Sequence, residues 1–103
     1  MTNKYRTHSC NELRKEHVST DVMLSGWVNK KRDHGNLLFI DLRDNYGITQ
    51  CIIDKENLNF SLLEKIQLET VIRIEGEVVN RSKETINKEL QTGEIEVSIK
   101  EFK

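Results

Sequence analysis

In four short stretches of this chain, apolar residues or glycines recur at every second position: Val22, Leu24, Gly26 and Val28; Leu38, Ile40 and Leu42; Ile72, Ile74, Gly76 and Val78; Ile95, Val97 and Ile99. Successive side chains leave a strand on opposite sides, so this period of two marks strands with one face on a core and the other toward water. The fold is therefore built from short half-buried strands. At 103 residues the chain makes one domain on the usual prior of roughly 100 to 200 residues. It is large enough for one modest core and too small for a second.

Val22 opens a strand of about ten residues, and Gly26 in its middle marks a bend or bulge such as a small barrel needs at a corner. Asp33-His34-Gly35-Asn36 is a turn signal leading into a second strand, Leu37 to Arg43, so these two strands form a hairpin. Asp44-Asn45-Tyr46-Gly47 is a four-residue turn into a third strand, Ile48 to Asp54. A turn of that length pairs Arg43 with Ile48, Asp41 with Gln50 and Phe39 with Ile52. Phe39 and Gln50 then become diagonal neighbours on one outward face, within reach of one flat ligand.

Leu58, Leu62, Leu63 and Ile66 fit helical spacing and predict one short helix between Asn57 and Leu68, with Ser61 and Glu64 as a capping box. A second capping box, Ser9-Cys10-Asn11-Glu12, predicts a short N-terminal helix running through Leu13 and Arg14. Alternation returns at Thr70 to Asn80 and at Glu94 to Lys100, the latter with Glu96 and Ser98 facing outward. The predicted fold is all-β: a five-stranded OB-fold Greek-key barrel over residues 1–103, with a short helix between strands 3 and 4 and a short N-terminal helix. The polar stretch from Arg81 to Thr92 is long for a plain connector and is expected to be a binding loop.

Sixteen Lys and Arg against seventeen Asp and Glu give a net charge of −1, so no global field gathers polyanions. An acidic partner must meet a local cluster, and the dense one is Lys30-Lys31-Arg32. Beside it, on the same outward surface, are expected Phe39, Gln50 and Arg43. An exposed ring next to cations suits single-stranded nucleic acid, where a base stacks for about 1 to 3 kcal/mol while Lys and Arg hold phosphates. Gln50 adds an amide that both donates to and accepts from a base edge.

Other chemistries find little support. Cys51 sits inside a strand as a small core residue, and Cys10 with His8 and His17 fits no common zinc spacing, so neither a metal site nor a disulfide is expected. No glycine-rich phosphate loop is present. No apolar run is long enough to span a membrane, and Met1 to Lys15 does not read as a secretory signal, which makes the cytoplasm the expected compartment. A general single-strand-binding domain and a structural or protein-interaction module both stay open at this point.

One constellation goes further. Gly26-Trp27-Val28, Arg32-Asp33-x-Gly35, Phe39-Ile40-Asp41-Leu42-Arg43-Asp44, Gly47 and Gln50 resemble the anticodon-binding OB domain of the class IIb aminoacyl-tRNA synthetases, those for aspartate, asparagine and lysine. Tyr5-Arg6-Thr7-His8-Ser9-Cys10-x-x-Leu13 and Thr92-Gly93-Glu94-Ile95-Glu96-Val97 are similar to the bacterial aspartate-specific branch. The resemblance covers nearly the whole chain. It implies the N-terminal part of a longer ligase that attaches aspartate to tRNA, with the catalytic domain absent. No cofactor is expected on this part, and ATP and Mg2+ are expected in the catalytic domain.

By the same resemblance, Phe39 stacks on the central anticodon uridine and Gln50 hydrogen-bonds it. Arg32 contacts the anticodon backbone and the third base, and Glu96 accepts hydrogen bonds from the guanine at the first position. Lys30, Lys31 and Arg43 are expected beside them from the charge cluster and the outward row, not from the resemblance. His34 stands where many aspartate-specific bacterial enzymes carry leucine. In family terms a histidine there goes with enzymes that charge both tRNA(Asp) and tRNA(Asn). The expected partners are thus tRNA(Asp), with tRNA(Asn) beside it, and no membrane; the full-length enzyme is expected to be a homodimer.

Overall fold

The computed structural model describes residues 7–8, 10, 13–33, 35–57, 60–81, 86 and 92–102. Five strands, β1 (Asp21–Asp33), β2 (Leu37–Arg43), β3 (Ile48–Asp54), β4 (Val71–Asn80) and β5 (Ile95–Phe102), close into a barrel in the order β1-β2-β3-β5-β4. A short helix, α1 (Phe60–Lys65), lies between β3 and β4. All pairings are antiparallel except β3 with β5. The element order and the place of the helix are those expected from the alternation pattern.

The alternating residues fill the barrel. Leu24, Val28, Ile40, Leu42, Ile74, Val78, Ile95 and Val97 are fully buried, and Cys51 joins them as a free thiol. Burial raises the Cys51 thiol far above its ordinary value, with Asp41 and Glu96 pushing the same way, so it stays an uncharged core residue. Cys10 and Leu13 from the N-terminal segment and Phe60 and Leu63 from α1 complete the cluster. The N-terminal segment is tied down by the Cys10 amide donating to Asp44 Oδ2 at 2.8 Å and the Thr49 hydroxyl donating to the Cys10 carbonyl at 2.7 Å.

The short helix between β3 and β4 is as expected, but the N-terminal helix and the capping box of α1 differ in detail. Ser9 and Glu12 lie outside the described residues, and Leu13 and Arg14 are not helical; a single 3-10 turn follows at Lys15–His17, where His17 Nδ1 accepts from the Arg14 amide at 2.9 Å. Leu13 is fully buried, and burying that side chain outweighs the weak drive of a short isolated segment to form a full helix. In α1, Ser61 falls inside the helix and so is not its cap. The buried face is Phe60 and Leu63, whereas Leu62 is 59% exposed.

Gly26 marks a close approach and not the bulge expected there. A Cβ at this position would sit 2.3 Å from the Arg43 carbonyl oxygen, so β1 and β2 can cross only over a hydrogen atom. Gly76 does the same against the Ser98 carbonyl, at 2.2 Å. The bulge in β1 lies three residues on. Val28 pairs with Leu42 and Lys30 with Asp41, which leaves Asn29 as the extra residue. Strict alternation from Val22 would have sent Lys30 and Arg32 to the core side. The bulge reverses their phase, so Lys30 stands opposite Asp41 and Arg32 opposite Phe39.

Candidate nucleic-acid interface

The β2–β3 pairing is the one the turn length predicted: Arg43 opposite Ile48, Asp41 opposite Gln50 and Phe39 opposite Ile52. With the bulged end of β1 alongside, one outer face of the barrel carries Arg32 and Lys30 from β1, Phe39 and Asp41 from β2, Gln50 from β3 and Glu96 from β5. A barrel lets four strands bring these residues together here because inter-strand spacing is only about 4.8 Å.

These side chains form a continuous hydrogen-bonded chain. Arg32 Nη2 donates to Asp41 Oδ1 at 3.0 Å, and Nη1 reaches Asp41 Oδ2 at 3.4 Å. The same Nη2 donates to Gln50 Oε1 at 2.7 Å, and Gln50 Nε2 donates to Glu96 Oε1 at 2.8 Å. The Arg32 guanidinium lies 6.0 Å from the centroid of the Phe39 ring, within cation–π reach. Gln50 and Glu96 are 5% and 8% exposed, while the Arg32 side chain is 42% exposed. Thus Glu96 faces outward as expected, yet its neighbours cover it.

Electrostatics follow from that cover. Burial raises the Glu96 carboxyl above its ordinary value, opposed by the hydrogen bond from Gln50 and the charge of Arg81. Arg81 is the residue that sequence reasoning missed. It is 7% exposed at the end of β4, its Nε donates to the Ile95 carbonyl at 2.8 Å, and burial lowers it from its ordinary value while Glu96 and Asp41 hold its charge. The available signal was its place two residues beyond Val79 on the outward row.

Other predicted residues are less closely grouped. Lys30 is exposed on this face. Arg43 is exposed on the same row but four residues along β2 from Phe39, about 13 Å at the rise of a strand. Lys31 points elsewhere: its Nζ donates to the carbonyls of Glu64, at 2.9 Å, and Ile66, where α1 ends. It satisfies carbonyls that the helix leaves without partners. His34, and the Arg81–Thr92 loop apart from Arg81, Ile86 and Thr92, lie outside the described residues.

A family model described as an OB-fold nucleic acid binding domain, of the tRNA anti-codon type, matches residues 22–103. The chain belongs to this family. The polar chain beside Phe39 lies within the matched residues. This OB-fold domain is 73% identical over 100 residues to Aspartate--tRNA(Asp/Asn) ligase of Pelagibacter ubique, covering 97% of the chain and 17% of that protein. It is 54% identical over 97 residues to the protein of the same name from Phenylobacterium zucineum, covering 94% of the chain and 16% of that protein. Among solved structures, asparaginyl-tRNA synthetase of Pyrococcus horikoshii in complex with asparaginyl-adenylate superposes with a TM-score of 0.77 at 25% identity, over 93% of this chain and 21% of that one. The OB-fold domain therefore spans about a sixth of the length of these two ligases.

Among the described residues, no group of three or more His, Cys, Asp or Glu is placed to hold a metal ion, and no helix is long and apolar enough to cross a membrane.

Proposed function

We propose that this domain reads the anticodon of tRNA for an aspartate–tRNA ligase. The observation that carries the reading is the Asp41–Arg32–Gln50–Glu96 chain laid beside the Phe39 ring on one outer face. It offers a stacking platform, a charged donor and a fixed amide within one base's reach. Phe39 stacks on the central uridine, Gln50 pairs with its edge, Arg32 meets the third base and the backbone, and Glu96 accepts from the guanine at the first position. Lys30 and Arg43 lie along the phosphates. Lys31 was grouped with them on sequence, but its ammonium is engaged by the end of α1, so it contributes to this surface through the fold.

Relatives named Aspartate--tRNA(Asp/Asn) ligase support a parent enzyme that charges both tRNA(Asp) and tRNA(Asn), with His34 bearing on that choice. Attachment of aspartate, with ATP and Mg2+, belongs to the remainder of such an enzyme, which acts as a homodimer. Comparable aspartylation of purified tRNA(Asp) and tRNA(Asn) transcripts by that full-length enzyme is the expected result, and rejection of tRNA(Asn) overturns it.

The reading for the domain itself is tested by titrating the 103-residue chain with a tRNA(Asp) anticodon stem-loop and with unrelated single-stranded oligonucleotides at low salt. Preference for the stem-loop is expected. Equal binding of all strands indicates a general single-strand binder, and no salt-dependent binding indicates a protein-interaction module.

A further inference from the structure

Gln50 is held from both ends by groups that fix its hydrogen-bonding sense as long as Glu96 is ionised. Arg32 can only donate, so the atom it meets at 2.7 Å must be the amide oxygen; an ionised Glu96 can only accept, so the atom it meets at 2.8 Å must be the amide nitrogen. An isolated glutamine amide can turn over and exchange donor for acceptor at little cost. Here a turned amide would set N–H against the N–H of Arg32 and oxygen against the oxygen of Glu96. The orientation follows from chemistry and does not depend on telling oxygen from nitrogen by position.

That lock has a consequence for base choice, resting on the proposed reading that Gln50 faces the central base. At positions 3 and 4, uracil presents a donor, N3–H, and an acceptor, O4. Cytosine presents an acceptor, N3, and a donor, the N4 amine. For a base held in one place by stacking, the two patterns are reversed, and the two orientations of an amide match one each. The amide oxygen keeps a second lone pair and the nitrogen a second hydrogen after Arg32 and Glu96 are served, so one acceptor and one donor remain for the base.

We propose that Arg32 and Glu96 are specificity-determining positioning residues: by fixing the Gln50 amide they make the site accept uracil and refuse cytosine at the central position. The two halves of the lock differ in stiffness. Glu96 is 8% exposed and cannot withdraw, whereas the Arg32 side chain is 42% exposed and also bound to Asp41, to which it can retreat. Glu96 is therefore the decisive half.

The test uses the 103-residue chain and two synthetic anticodon stem-loops that differ only in U or C at the central position. A good bidentate base contact discriminates by about 5- to 150-fold, and the wild-type U-over-C ratio is expected in that range. In Glu96→Gln the new side chain can donate or accept, Gln50 can turn, and the ratio is expected to fall at least about fivefold. Any contact from Glu96 to the first base is lost equally with both stem-loops and leaves the ratio alone. A ratio within about twofold of wild type in a folded Glu96→Gln chain overturns the lock. If that chain does not fold, Glu96→Ala, which frees the amide nitrogen without adding bulk, gives the same readout: a reduced ratio supports the lock and an unchanged one overturns it. A wild-type chain with no preference for U fails at an earlier step, since it removes the reading of Gln50 on which the lock rests.

Discussion

Replacing Phe39 by leucine separates stacking from base reading. The ring is half-buried on the outer face, opposite Arg32 on β1 and Ile52 on β3. Leucine keeps apolar contact with that row, so the fold should lose no more than about 1 kcal/mol. The attraction between Arg32 and the ring, 6.0 Å apart, exists in the free chain, and only its change on binding enters the affinity. What the complex loses is the base–ring stack, about 1 to 3 kcal/mol, or about 5- to 150-fold in Kd. Arg32 stays bound to Asp41 and Gln50, so the amide stays oriented and the loss should fall equally on stem-loops with U or C at the centre. No charge is removed, so the dependence of log Kd on log salt should keep its slope. Fluorescence anisotropy with labelled stem-loops at several salt concentrations measures all three quantities. An affinity within about twofold of wild type refutes stacking on Phe39; a collapse of U-over-C selectivity shows instead that the ring, and not the polar chain, reads the base.

Gly26→Ala places a Cβ 2.3 Å from backbone oxygen, with no side chain free to give way; β1 and β2 must part, at a cost of about 3 kcal/mol or more and a fall in Tm of about 12 °C or more. An unchanged Tm would show that the strands slide at no cost. Lys31→Met removes the two donors at the end of α1 and should lower Tm by about 4 to 8 °C for a loss of about 1 kcal/mol, with the salt slope of RNA binding unchanged. A slope reduced by about one unit instead puts Lys31 on a phosphate. For Glu96 the folded pKa is raised by burial, so the fold favours the protonated form: that stability is present at low pH and is lost as pH rises through the folded value. Glu96→Gln is therefore expected to raise Tm at neutral pH, by an amount that shrinks as the wild-type carboxyl protonates in acid; thermal melts that show a constant difference at all pH values contradict this.

The β2–β3 register could be read from sequence because a four-residue turn leaves one pairing, and the pairing carries Phe39, Asp41 and Gln50 to one face whatever the rest of the chain does. The bulge at Asn29 could not, since nothing local distinguishes Asn29 from its neighbours. Only the need to bring Arg32 opposite Phe39, a contact between strands, picks it out. Lys31 was misplaced for a related reason: its partners are 33 and 35 residues away, and a run of three cations in sequence becomes two outward residues and one turned toward a helix end. The capping box at Ser61 failed because short local signals compete with burial, and seating Phe60 and Leu63 in the core set where α1 begins. Arg81 escaped notice because alternation marks which row a residue joins but not that neighbours will close over it.

The same bookkeeping of charge bears on affinity. On this face Arg32 is paired with Asp41, Arg81 sits beside Glu96, and Lys31 is engaged by α1, which leaves Lys30 and Arg43, among the described residues, as the exposed cations best placed for phosphates. Two such contacts on a single strand give a slope of log affinity against log salt of only about −1.4. On the proposed reading an oriented amide and a ring then account for more of the binding than charge does, which is the opposite balance from a general polyanion binder. The buried carboxylate is the same choice in another form. An ionised Glu96 costs the fold stability, and on the proposed reading the fixed direction of Gln50 is what that cost sustains. A chain selected for stability alone would hold a neutral side chain at this position, and by the argument above it would then tell uracil from cytosine less well.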